Sequence, residues 1–172
     1  FEEVEAIVPI DLIRRSGAKV TVAGLDDLTI RGAHNISVAC DVGMEECRER
    51  SYDCIILPGG SQGSKNLAAS ALVMTKIIEV AQEGTVAAIC AAPAVVLGRT
   101  GLLEGKRVTG FPGTEELCEG LLFTGRGVEV DGSIITAQAA GSAVDFALAI
   151  IASLMGAEQA AAIASQIHYP GK

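Results

Sequence analysis

The chain has 172 residues, 49% of them hydrophobic, 20% charged and 3% aromatic, with no tryptophan and a net charge of −8. This length and composition suit one globular domain spanning 1–172 with a sizeable core, and exclude a disordered chain. So acidic a surface repels phosphates and so few rings offer no stacking platform, which excludes nucleic acid as a main partner.

In chain order, residues 2–16 read as a helix, and "KVTVAG" (19–24) after Gly17 reads as a strand. "YDCIILPGG" (52–60), "TVAAIC" (85–90) and "KRVTG" (106–110) are further short runs with strand character. Ser70 caps an expected helix over "SALVMTKIIEVAQEG" that stops at Gly84, and the segment after Cys90 is expected to be helical as well. "VEVDGSIITAQ" (128–138) is expected to form a hairpin around Asp131 and Gly132, and "SAVDFALAIIASLMG" (142–156) a last helix. Solidly apolar strands alternating with helices predict an α/β fold with a mainly parallel sheet covered on both faces. A doubly wound sheet normally opens on a strand, whereas this chain starts at Phe1 and enters its first helix almost at once. A first strand is therefore expected to lie outside the sequence.

The five cysteines (Cys40, Cys47, Cys54, Cys90 and Cys118) and the two histidines (His34 and His168) form no CxxC pair and no zinc spacing. They predict a reduced chain with no metal and no cofactor. No signal peptide opens the chain, and its longest apolar run, near "FALAIIASLM", is short and closely flanked by Asp145. The expected setting is cytoplasmic, with no membrane partner.

Cys90 stands apart from the other thiols. In an open parallel sheet, ligands bind beyond the carboxyl ends of the strands, and "TVAAIC" places Cys90 there. A sharp strand-to-helix turn needs small neighbours, which Ala88 and Ala92 supply, and Pro93 suits an early helical position. A thiol at a helix N-terminus is expected to be drawn toward thiolate. The other strand end, "ILPGGSQG", can aim the N–H of Gly60 into the same crevice, where with that of Ala91 it would form an oxyanion hole. On a wheel of the first helix, Val4, Ile7, Val8 and Leu12 make an apolar stripe with Glu5 about 20° from Leu12, and Asp11 and Arg15, four apart, fall inside it. Inward-facing Glu5, Asp11 and Arg15 imply a polar cavity or a subunit interface.

The stretches "FEEVEAIVPIDLIRRSGAKVTVAG", "YDCIILPGGSQGSKNL", "AAICAAPAVVL" and "DFALAIIASLMG", in this order, resemble the DJ-one/ThiJ branch of the PfpI superfamily. The resemblance implies a flavodoxin-like three-layer sandwich with a reactive cysteine at a strand-to-helix elbow. It assigns the nucleophile to Cys90, a protonated carboxyl bonded to its thiolate to Glu5, and the backbone donors to Gly60 and Ala91. Arg15 matches a family arginine near the interface of a homodimer, where Asp11 can support it. Three departures stand out. Phe111 occupies the place of a family histidine, "AAGSA" (139–143) replaces a "GPGTS"-like turn, and His34 stands near the place of a family arginine. Any general base is then Glu5. Alanine at 91, where the protease-like branch carries histidine, argues against peptidase activity.

The resemblance implies a glutathione-independent glyoxalase or deglycase acting on methylglyoxal and other small reactive aldehydes or their glycated adducts. The alternative is a non-enzymatic redox sensor or chaperone whose cysteine is oxidised to sulfinate. A plainer reading is a dimeric scaffold with an adventitiously reactive thiol.

Overall fold

The computed structural model describes residues 1–118 and 120–170. Helix α1 spans Glu3–Arg15, and Glu2 caps it by accepting a hydrogen bond from the Glu5 N–H at 2.8 Å. Four short strands follow: β1 (Ala23–Gly24), β2 (Thr29–Arg31), β3 (Ser37–Ala39) and β4 (Val42–Gly43). Then come β5 (Cys54–Leu57), α2 (Ser61–Ala69), α3 (Ala71–Val80) and β6 (Thr85–Ile89). The second half contains α4 (Ala92–Val95), β7 (Arg107–Val108), β8 (Leu122–Phe123), β9 (Val128–Asp131), β10 (Ile134–Ala137), α5 (Ala143–Met155) and α6 (Ala157–Gln166).

The central sheet runs β5-β6-β10-β9, parallel except at the β9–β10 hairpin. Ile134 pairs with Asp131 there, and Gly132 turns the chain at φ +63°, a conformation that costs glycine little. Both faces are covered, which makes three layers. On one face, Val73, Ile77 and Val80 of α3 pack with Val96 and Leu97 beneath the sheet. On the other, Leu12 and Ile13 of α1 meet Phe146, Ala147, Ile150 and Ile151 of α5, with Ile163 of α6 at the edge. Strand β6 is buried along its whole length, which explains its unbroken apolar sequence. Among the described residues, no helix is long and apolar enough to cross a membrane.

Several expectations need correcting. "KVTVAG" forms ladder only at Ala23–Gly24, pairing with β4, because among the described residues no strand pairs with the residues before Ala23. The segment after Cys90 gives a single turn, α4, followed by a 3₁₀ turn at Leu97–Arg99. Val4 and Ile7 face outward on α1, and so do Asp11 and Arg15. The face of α1 turned inward carries Glu3, Glu5, Pro9, Leu12 and Ile13. Helix α5 supplies the apolar surface for Leu12 and Ile13, with Val8 packed beside them, so Leu12 and Val8 of the expected stripe face the core while Val4 and Ile7 do not.

Candidate active site

Cys90 sits one residue beyond β6 with φ +66°, a left-handed conformation rare for a residue with a side chain. Its backbone is pinned from two sides. The Cys90 N–H donates to the Ala137 carbonyl at 2.9 Å, and its own carbonyl accepts from the Phe111 N–H at 2.7 Å. Ala88 and Ala92 on either side are fully buried, so larger side chains would not fit there. The strained residue is thus held by β10 on one flank and the 110–111 segment on the other, and its thiol points into the crevice.

Glu5 faces that thiol. Only 1% of the residue is exposed, yet the carboxyl is well supplied with partners: the Cys90 side chain, the Gly59 N–H at 3.0 Å and the Ala140 N–H. Burial is the main force raising its pKa to about 7. The nearby Glu2 charge adds to it, while the Cys90, Gly59 and Ala140 hydrogen bonds work against it. The sequence had placed Glu5 at the edge of the buried stripe; the structure puts it fully inside.

Burial also pushes the Cys90 thiol up, to about 11, with the charge of ionised Glu5 second. The N–H groups of Gly60 and Ala91 pull the other way. The expected drift toward thiolate through a helix dipole is therefore outweighed, since α4 is one turn long and contributes little field. The site holds two buried acids joined by a hydrogen bond, through which a proton can pass from one to the other. While Glu5 is ionised the thiol keeps its proton. When Glu5 carries the proton, its O–H can donate to sulfur and the Gly60 and Ala91 amides stabilise the thiolate. Cys54, half-buried on β5, is pushed up to about 12 by desolvation, with the Asp53 charge second.

Gly59 is the residue sequence reasoning undervalued. A Cβ there would lie 2.5 Å from the Cys90 Cβ and closer still to Glu5 Oε2. Gly59 is what allows acid and thiol to approach, whereas the strand end that carries it was read as a sharp turn aiming backbone N–H groups into the crevice. Glu2 and Glu3 both have structural duties. Glu2 caps α1 as described. The buried Glu3 accepts from the His34 N–H at 2.7 Å and faces His34 Nδ1 at 2.9 Å, tying the β2–β3 turn to the helix. Burial works to raise the Glu3 carboxyl, but its bonds from His34 and Ile36 prevail and hold it at about 2. His34 is raised in turn, chiefly by its hydrogen bond to Glu3.

Of the residues singled out from the sequence, Cys90, Glu5, Gly60 and Ala91 come together. Arg15 and Asp11 do not join them. They pair with each other at 2.9 Å on the exposed side of α1. Phe111 reaches Cys90 through its backbone only, and its ring is 48% exposed. The turn at 139–143 contributes the Ala140 N–H to Glu5.

A thiol at a strained strand-to-helix elbow, faced by a buried carboxyl and two backbone donors, makes Cys90 the candidate nucleophile of an α/β protein. Residues 1–153 match the model of the DJ-1/PfpI family, and the chain belongs to that family. It is 36% identical over 160 residues to the DJ-1 homolog B of Arabidopsis thaliana, covering 92% of this chain and 36% of that one, so it spans about a third of this relative's length. It is 29% identical over 159 residues to a Caenorhabditis elegans protein named as glutathione-independent glyoxalase DJR-1.2, covering 92% and 85% of the two chains. The structure superposes on oxidised DJ-1 of Toxoplasma gondii with a TM-score of 0.95 at 36% identity, covering 99% of this chain and 94% of the other.

Proposed function

We propose that the protein is a cysteine-dependent glyoxalase or deglycase that acts on methylglyoxal or its early adducts in the cytoplasm, without glutathione, metal or cofactor. The observation that carries this reading is the buried Glu5 carboxyl bonded to the Cys90 side chain and raised to about 7. A group poised near neutrality can both give and take a proton at the operating pH, as acid–base catalysis requires. The glyoxalase name of the Caenorhabditis elegans relative supports the same reaction class.

The reaction starts with the shared proton on Glu5. The Cys90 thiolate attacks the aldehyde carbon, an S–C bond forms, and the carbonyl pair moves to oxygen, which takes the Glu5 proton to give a hemithioacetal. Ionised Glu5 then removes the hydrogen from that carbon, and the electrons flow to the neighbouring ketone oxygen to give an enediolate. Glu5 returns the proton to the second carbon while the first hydroxyl passes its proton to the enediolate oxygen, leaving a lactoyl thioester with no net oxidation. Water adds to the thioester, the C–S bond breaks, and lactate leaves. The Gly60 and Ala91 amides serve the sulfur in the resting site and the adjacent oxyanion during the additions. Deglycation would begin from the corresponding adduct and end at the same thioester.

Rapid quenching of the protein during turnover in deuterated water tests this scheme. The expected result is a lactoyl group on Cys90 and deuterium on the second carbon of the lactate. Lactate formed with neither would overturn it. A second reading, a redox sensor, draws on the same Glu5 hydroxyl, which can donate to a Cys90 sulfinate. Peroxide treatment would then give sulfinate in the parent and over-oxidation in Glu5→Asp, with no turnover of methylglyoxal in either. We propose a homodimer built on the exposed Val4, Ile7, Asp11 and Arg15 side of α1, a reading supported by the exposed Val4 and Ile7 side chains there.

A further inference from the structure

The peptide that joins Cys90 to Ala91 is bonded at both ends. A trans peptide is planar, with its C=O and N–H pointing opposite ways. In this one the Ala91 N–H donates to the Cys90 sulfur, and the Cys90 carbonyl accepts from the Phe111 N–H at 2.7 Å. Whatever fixes the carbonyl therefore fixes the aim of the donor. Cys90 itself does not hold the plane, because at φ +66° a residue with a side chain is strained and relaxes once its partners let go. Its N–H is secured by the Ala137 carbonyl of β10, and its carbonyl by Phe111.

Phe111 is anchored in turn from both directions along the chain. Before it, the buried Thr109 donates its N–H to Thr136 Oγ1 at 2.9 Å and its hydroxyl to the Arg126 carbonyl at 2.6 Å. After it, the Phe111 carbonyl accepts twice from Thr114, from the N–H at 3.0 Å and from the hydroxyl at 2.6 Å. Gly113 allows that turn at φ +91°, and its N–H donates to Glu115 Oε2 at 2.7 Å. Between the two anchors, Gly110 lies close against the elbow. A Cβ there would stand 3.1 Å from the Cys90 carbonyl oxygen and 3.4 Å from Thr114 Oγ1, so both oxygens crowd the same side of Gly110.

We propose that Thr114 is a positioning residue of the thiol site: through Phe111 it holds the Cys90–Ala91 peptide, and so aims the Ala91 N–H at the sulfur and at the oxyanion formed when substrate adds. The oxyanion part of this role rests on the reaction proposed above, whereas the aim at sulfur belongs to the resting site. The hydroxyl carries most of the hold, since its bond to the Phe111 carbonyl is the shorter of the two. Without it the Phe111 carbonyl keeps one longer bond, and residues 110–111 can drift away from the elbow. Deleting one oxyanion donor costs about 10²–10³ in kcat, and turning one aside costs less, about tenfold. The oxyanion forms only after substrate has bound, so this loss falls on kcat and leaves KM unchanged.

Two variants test it. Thr114→Val removes the hydroxyl and keeps the shape of the side chain, and Thr114→Ser keeps the hydroxyl and removes the methyl. In Thr114→Val, kcat for lactate formation is expected to fall about tenfold at constant KM. The pH profile of Cys90 alkylation by iodoacetamide is expected to move upward, because the thiolate loses a donor. Hydrogen exchange at the Phe111 amide is expected to quicken about tenfold. Exchange at the Cys90 amide, which is bonded to Ala137, stays level. Thr114→Ser is expected to return all of these to the parent values. Alkylation and exchange unchanged in Thr114→Val would overturn the proposal, as would a Thr114→Ser variant equally impaired, or exchange quickened across the whole domain. If the parent itself forms no lactate, the proposed reaction falls, and the alkylation and exchange shifts still decide the role of Thr114: their reversal in Thr114→Ser upholds it and their absence overturns it.

Discussion

Replacing Glu5 with glutamine separates the charge of the buried carboxyl from its hydrogen-bonding. The Glu5 pKa rises from 4.5 to about 7 on folding. A carboxyl raised in the folded state favours folding while protonated, and that contribution is complete below pH 4.5 and lost as pH climbs through about 7. A shift of this size corresponds to about 3 kcal/mol, and solvent screening at the mouth of the crevice reduces it to about 2 kcal/mol. Glu5→Gln removes the penalty at high pH and keeps a donor facing sulfur. Urea unfolding should therefore show the variant about 2 kcal/mol more stable than the parent at pH 8 and level with it at pH 4. The same substitution removes the second cause of the high Cys90 pKa, the Glu5 charge, but not the first, burial. Loss of that charge lowers the Cys90 pKa and raises the thiolate fraction at pH 7.5, so iodoacetamide should alkylate Cys90 faster in the variant than in the parent. Lactate production should fall to background, because an amide cannot carry the proton. Stability curves that run parallel from pH 4 to 8, or a variant that turns over like the parent, would refute the shared-proton account.

Limiting iodoacetamide followed by peptide mass spectrometry should modify Cys90 first and Cys54 last; prior labelling of Cys40, Cys47 or Cys118 would contradict the site. Gly59→Ala should cost about 1–3 kcal/mol in urea unfolding and lose most turnover, since its methyl lands between Glu5 and Cys90. Glu3, held at about 2 in the fold against an ordinary 4.5, adds stability above 4.5 that disappears as pH falls toward 2. Glu3→Gln should therefore lose stability at neutral pH and converge with the parent in acid, as followed by circular dichroism. Light scattering should give the mass of two chains for the parent and of one for Ile7→Asp, the charge being placed on the exposed side of α1.

The elbow was legible because its requirements are local. Four apolar residues, a thiol, two alanines and a proline leave few other ways for Cys90 to lie, and the hairpin at Gly132 follows from an equally local signal. Features that depend on distant partners were not legible. Val4 and Ile7 look like core on a wheel, yet α1 turns two acids inward because Gly59, His34 and Cys90 wait there to receive them. Helix α2, whose sequence SQGSKNLAA is polar and starts after Gly60, carries almost no apolar period and went unnoticed. The β2–β3 hairpin turns through Asn35 at φ +67° and hides in a stretch with little alternation. The acidity of Cys90 was misjudged for a related reason. The helix behind it could be foreseen, but neither its single-turn length nor the ionised neighbour could.

The central claim is that Cys90 and Glu5 work as one acid–base nucleophile on small dicarbonyls. Lactate formation from methylglyoxal by purified protein, with glutathione absent and Cys90→Ser run alongside, tests it most directly. The account predicts steady catalytic lactate release by the parent and none above the uncatalysed rate by Cys90→Ser. Equal rates for the two proteins, or a parent that stops after a single turnover, would contradict it.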